Sequence, residues 1–176
     1  MTKLLTSMSL VLVAGLVSVA AGFGQDLAKE GLATFAPGTI RVEYSRPSKL
    51  RTLPNYATLR QRYVGPRLRA LEESFAQLGV RESDIDEVML GWQPRSSTME
   101  LAGFVAGRFT ARSIADRAGA NGIASTTVGS LPAFCLGTGG VNSCLVVLRD
   151  SLGLFGSEEA LTEMLTASKR RLAGVL

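Results

Sequence analysis

The stretch FCLGTGGVNSCL, residues 134–145, holds both cysteines of the chain on either side of a glycine-rich loop, and its reading decides the fold. With Gly139 and Gly140 at the tip of a two-residue turn, glycine fills both positions where a type I′ hairpin needs positive φ. Counting outward, Thr138 closes on Val141, Gly137 faces Asn142, Leu136 faces Ser143, and Cys135 faces Cys144. Pair types alternate along an antiparallel ladder. This register therefore puts the cysteines on a non-hydrogen-bonded pair, where opposed α-carbons approach to about 4.5 Å, within disulfide range. A bridge there closes a loop of about ten residues and contributes roughly 2.7 kcal/mol in the loop-entropy account. The segment reads as a stapled β-hairpin, with two free buried thiols as the alternative. A redox pair would show C-x-x-C spacing, and a zinc site would need more than two thiols in a chain without histidine. The glycines lead into a strand, CLVVL, and not into a helix followed by a lysine, so they form no phosphate cradle.

Working outward, CLVVL is apolar on both faces, as a strand at the sheet centre requires. RDS turns the chain into a short strand, LGLF. Ser157 then caps a last helix, with Glu158 and Glu159 in its first turn and Leu161, Met164, Leu165 and Leu172 as its buried stripe. Upstream, IDEVMLGWQP and ELAGFVAGRF form a second hairpin, with Trp92 and Phe104 as cross-strand partners. Thr110 caps a short helix carrying Ile114, Ala115 and Ala118. Earlier still, TIRVEYS alternates Ile40, Val42 and Tyr44 with Arg41 and Glu43, the pattern of a strand. Beyond Pro47 and Pro54, Asn55 caps a helix whose Leu68, Leu71, Phe75 and Leu78 form one apolar stripe, ending at Gly79. Pro66 either kinks that helix or opens a second one at its first position. The order is strand, helix, two strands, helix, three strands, helix. It predicts an α+β domain with a mostly antiparallel sheet and helices packed on one face.

The opening MTKLLTSMSLVLVAGLVSVAAGFGQD has one cation, Lys3, an apolar run from Leu4 to about Val19, and small residues before Asp26, the layout of a secretory signal peptide. Residues 1–24 are assigned to it, 25–38 to a flexible lead, and 39–176 to a single domain. An uncleaved N-terminal anchor is the alternative, since about 19 apolar residues reach across a bilayer. Either way the domain is exported, periplasmic or extracellular, and an oxidised cysteine pair fits that setting.

The net charge of +4 is mild but segregated. Eight basic residues between Arg41 and Arg69 face a single acid, Glu43, and the acids Glu72, Glu73, Glu82, Asp84, Asp86 and Glu87 follow. The two blocks either fold against each other and face water, or leave Arg60, Arg62, Arg67 and Arg69 as a basic face for a membrane surface or polyanion. Without histidine there are no imidazole triads and few routes to zinc or haem, so neither metal nor cofactor is expected. The densest acids, around Asp84 in ESDIDE, lack the spacing of a calcium loop and read as solvated turn residues. A helix mouth formed by Arg108, Thr110 and Arg112 could hold an anion, against the plainer reading of an ordinary capped start.

The whole pattern, an export signal, QLGVRESDIDEVMLGW, ELAGFVAGRF and a terminal SLGLFGSEEALTEML, resembles that of uncharacterised exported proteins of bacteria. The resemblance implies an envelope or secreted setting and transfers no functional residues. The leading expectation is a non-enzymatic domain acting by protein–protein contact, with another envelope protein or with itself, and with no nucleic acid partner. One alternative is a module binding anionic polymer or membrane surface through residues 41–69. The other is a hydrolase using carboxylates near Asp84. A contact domain predicts an exposed apolar patch or open sheet edge, a surface binder predicts arginines on one face, and an enzyme predicts a pocket where Asp84 or Asp86 meets another polar group.

Overall fold

The computed structural model describes residues 23–138 and 141–173, and pairs Cys135 with Cys144 in the register counted from the loop. The two form a disulfide with their α-carbons 3.9 Å apart. The expected leader, apart from residues 23 and 24, and the Gly139–Gly140 turn lie outside the described residues.

Helix α1 (Phe23–Thr34) precedes strand β1 (Arg41–Ser45), helices α2 (Pro47–Leu50), α3 (Tyr56–Tyr63) and α4 (Pro66–Gln77), and the hairpin β2 (Ile85–Arg95) and β3 (Thr98–Gly107). Helix α5 (Ala111–Ala120) follows, then β4 (Ser125–Val128), β5 (Leu131–Thr138), β6 (Val141–Arg149), β7 (Leu152–Gly156) and α6 (Glu158–Ala173). The strands form one antiparallel sheet in the order β1-β2-β3-β7-β6-β5-β4. The α+β class holds. Pro66 resolves as the first residue of α4, after Val64 and Gly65 take extended backbone that ends α3.

The helices cover both faces of the sheet, not one. Alternation along the strands splits the core in two. Met89, Phe104, Val146 and Leu154 point toward α1 and α6, while Leu90, Val105, Leu145 and Phe155 point toward α4 and α5. A sheet buried on both faces explains why its interior strands carry unbroken apolar runs. The middle position belongs to β7, every residue of which is buried, with CLVVL beside it in β6.

Residues 25–38 are not a flexible lead. Most of them lie in α1, whose Leu27 is buried in the core. At Gly31 the helix meets the sheet, since a Cβ there would sit 2.3 Å from Met89 Sδ. Phe35 then packs edge-on against Phe104, with ring centroids 5.8 Å apart. Two further expectations change. Trp92 pairs with Leu101 and Phe104 with Met89, so the two aromatics lie on opposite faces and are not partners. The polar edge strand β4, STTV, adds a strand to the three expected after α5. Its alternation is too weak to read, because only Val128 is buried.

Candidate functional site

The arginine-rich segment and the acidic one fold against each other. Arg46 pairs with Glu87 at 3.1 Å, Arg51 with Glu82 at 3.1 Å and Asp86 at 3.8 Å, and Arg60 with Glu72. Arg51 also donates to the carbonyls of Glu82 and Ile85, both at 2.9 Å, which fixes the loop after α2 onto the start of β2. These contacts hold α2 and α3 above the sheet face that α4 also covers.

Between this layer and the sheet lies a cavity of about 390 Å³. Leu90, Val105 and Phe155 form its floor, and Leu71 and Phe75 of α4 one wall. Phe75 meets Phe155 edge-on at 5.6 Å, which fixes both rings. Leu50, Leu53 and Leu59 make the roof, and Leu50 and Leu53 stay 41% and 44% exposed because the roof does not close. The signal for it is in the sequence. Leu50, Leu53, Tyr56 and Leu59 recur every third residue through an otherwise polar stretch. This spacing was masked by the arginines around it and by the break at Pro54.

The mouth is polar. Tyr56 donates to Glu82 Oε1 at 2.5 Å, and Arg60 donates to Glu72. Burial, then the hydrogen bond to Glu82 and that carboxylate's charge, push the Tyr56 phenol up to about 12. Burial likewise raises Glu72 above the usual carboxylate range, although Arg60 pulls the other way. An apolar chamber with a few polar groups converging at one end is the usual build of a small-molecule site, and its volume lies in the range of about 300–1,000 Å³ typical of such sites.

The expected anion site is filled from within. Thr110 Oγ1 accepts the Ser113 amide at 3.0 Å, and Asp150 Oδ1 accepts the Ala111 amide at 3.2 Å, so the first turn of α5 is capped by its own chain. Arg108 turns to the Ser83 carbonyl and Asp84, and Arg112 pairs along the helix with Asp116. The three residues do not converge.

The expected basic face is also dispersed. Arg60 points into the cavity mouth, Arg67 donates to the Met99 carbonyl, and Arg69 donates to the carbonyls of Val64 and Gln61, capping the end of α3. Arg60 and Arg62 lie two positions apart on α3, as Arg67 and Arg69 do on α4, a separation of about 200° around a helix. Neither pair shares a side.

Of the acids near Asp84, Asp84 itself accepts the Arg81 amide at 3.1 Å and closes a short 3₁₀ turn. Asp86 sits in a bulge of β2 and does line a second cavity, of about 370 Å³ on the α1 face, with Glu87 and Asp150. Arg51 lies 3.8 Å from Asp86, Arg46 pairs with Glu87 Oε1 and Asp150 accepts the Ala111 amide, while Glu87 Oε2 is buried without a hydrogen-bond partner among the described residues, so Asp86 does meet other polar groups there. Among the described residues no group of His, Cys, Asp and Glu could hold a metal ion, and no helix is long and apolar enough to cross a membrane. Comparison of the chain with protein-family models, with curated proteins and with solved structures found no match to any of them.

Proposed function

We propose that this chain is an exported, non-enzymatic binding domain whose cavity under α2 and α3 takes a small amphiphile, its apolar part against Phe75 and Phe155 and its polar end at Tyr56, Arg60 and Glu72. The observation that carries this reading is an aliphatic and aromatic chamber that opens at a hydrogen-bonded polar cluster, Tyr56 with Glu82 and Arg60 with Glu72, with Glu43 and Ser45 of β1 also on its lining. Export is supported by the Cys135–Cys144 bridge and by the signal-like opening residues. The anionic-surface reading loses its footing because the arginines point apart. The hydrolase reading has less support, because Asp84 and Asp86 serve a turn and an ion pair.

The test is a titration of the oxidised protein with a solvatochromic fatty-acid analogue, followed by native mass spectrometry after incubation with a lipid extract. Saturable one-site binding is expected. Replacing half-buried Leu68, which lines the chamber, by Trp should weaken it at least tenfold while the thermal midpoint is retained. Absence of binding by the parent, or undiminished binding by a folded Leu68→Trp protein, would remove the proposal.

A further inference from the structure

Strand β1 is the edge of the sheet opposite β4, and it is an open one. It hydrogen-bonds β2 on one side and has no strand on the other among the described residues. Natural sheets blunt such edges with charged side chains, bulges, prolines or covering loops, because unpaired backbone groups invite another strand. Strand β1 has charges on one face only, Arg41 and Glu43, and its other face is apolar. By register, Val42 stands opposite Gly91 and Tyr44 opposite Met89, so both side chains lie on the α1 face. They remain 37% and 40% exposed, and Ile40 just before the strand is 67% exposed. On the opposite face Arg41 and Glu43 sit side by side, with Nε and Oε1 2.7 Å apart.

We infer that β1 pairs antiparallel with β1 of a second copy about a two-fold axis through Val42, joining the two sheets into one. The charges select this register. Centred on Val42, the pairing sets Arg41 of each copy opposite Glu43 of the other, on the face away from α1, and Val42 opposite Val42 on the apolar face. Tyr44 of each copy then falls opposite Ile40 of the other, which withdraws all three exposed apolar residues from water. Centring one residue later would set the two Glu43 carboxylates against each other, and like charges directly opposite are destabilising. A two-fold interface must be complementary to itself, and the alternation of Arg41, Val42 and Glu43 meets that condition. The inference goes beyond the cavity and does not depend on it.

Charge exchange tests it. The mass of the oxidised protein in solution is measured by light scattering across a concentration series, for the parent, Arg41→Glu, Glu43→Arg, the double exchange, and an equimolar mixture of the two single variants. The parent should be a concentration-dependent dimer. Each single variant opposes like charges twice across the axis and should dimerise at least tenfold more weakly. The double exchange and the mixture both restore opposite pairs and should dimerise like the parent, the mixture as a heterodimer. Arg41 is exposed and Glu43, at the rim of the cavity, is partly so, and the single variants should keep the parent's circular dichroism and thermal midpoint. A parent that stays monomeric at its solubility limit would overturn the inference. So would single variants that dimerise as well as the parent, or a mixture that stays monomeric.

Discussion

The Tyr56 hydroxyl donates to Glu82 Oε1 at 2.5 Å, and the Arg51 guanidinium meets the same oxygen at 3.1 Å. One carboxylate thus ties α3, the loop after α2 and the approach to β2 together at the cavity mouth. Burial disfavours the ionised phenol, and the hydrogen bond to Glu82 and that carboxylate's charge add to this, which pushes its pKa from 10.0 up to about 12. A group whose folded pKa is raised contributes stability that is complete below its unfolded value and is lost as pH rises through the folded one. Tyrosinate absorbance should show a phenol titrating near 12 that disappears in Tyr56→Phe. The same variant should abolish the part of the alkaline stability loss that falls between pH 10 and 12. A wild-type titration with no phenol near 12 contradicts the geometry.

Glu72 and Glu100 should bend the acid limb in opposite directions. Burial raises Glu72 above its ordinary value of 4.5 despite Arg60, so its share of stability is complete below that value and is lost as pH rises through the folded one. Burial also acts to raise Glu100, but hydrogen bonds from Ser157, Arg95 and Gln93 outweigh it and lower the pKa, so its share is present above 4.5 and is lost as pH falls. Denaturant melts of Glu100→Gln should show a deficit at neutral pH that shrinks on acidification. For Glu72→Gln the difference from the parent should move in the variant's favour as pH rises. Parallel pH curves for both variants and the parent would contradict the assignment.

Reduction should weaken the fold without dissolving it. The bridge joins neighbours already paired in the ladder, so its loss frees a short loop of the unfolded chain and leaves the register intact. A cost of about 2–4 kcal/mol is expected for Cys135→Ser/Cys144→Ser. Cys135 is exposed while Cys144 is buried, so a reductant has access in the native state. Chemical denaturation with and without reductant measures the cost, and identical midpoints would mean that the staple is idle.

Two glycines separate close packing from open space. A Cβ at Gly103 would sit 2.0 Å from the Met89 carbonyl and 2.9 Å from the Phe155 ring, whereas at Gly119 in α5 it would meet nothing within 4 Å. Gly103→Ala should therefore fail to fold or lose several kcal/mol, on the order of other severe core changes. Gly119→Ala should gain about 0.4–1 kcal/mol by removing freedom from the unfolded chain. Thermal midpoints of the two variants should move in opposite directions.

The sequence was informative where a local rule fixes the answer. Two glycines demanded a tight turn and so set the Cys135–Cys144 register. Pro66 could only open a helix or kink one, and the spacing of Leu71, Phe75 and Leu78 drew the face of α4. Period alone does not say how many layers a sheet carries. The runs in β6 and β7 are apolar on both faces because helices lie on both, but the second layer includes α1, whose contact with the sheet runs through a glycine.

The cavity and the open edge were decided by tertiary structure, for one physical reason. Arg46, Arg51 and Arg60 read in sequence as a charged run, and only the folded chain brings Glu87, Glu82 and Glu72 against them, which neutralises the face and suspends α2 and α3 over the sheet. Interactions between neighbours along the chain are written in residue type and spacing. Those between segments far apart in sequence depend on which surfaces meet, and here they turned an apparent basic patch into the roof of a chamber.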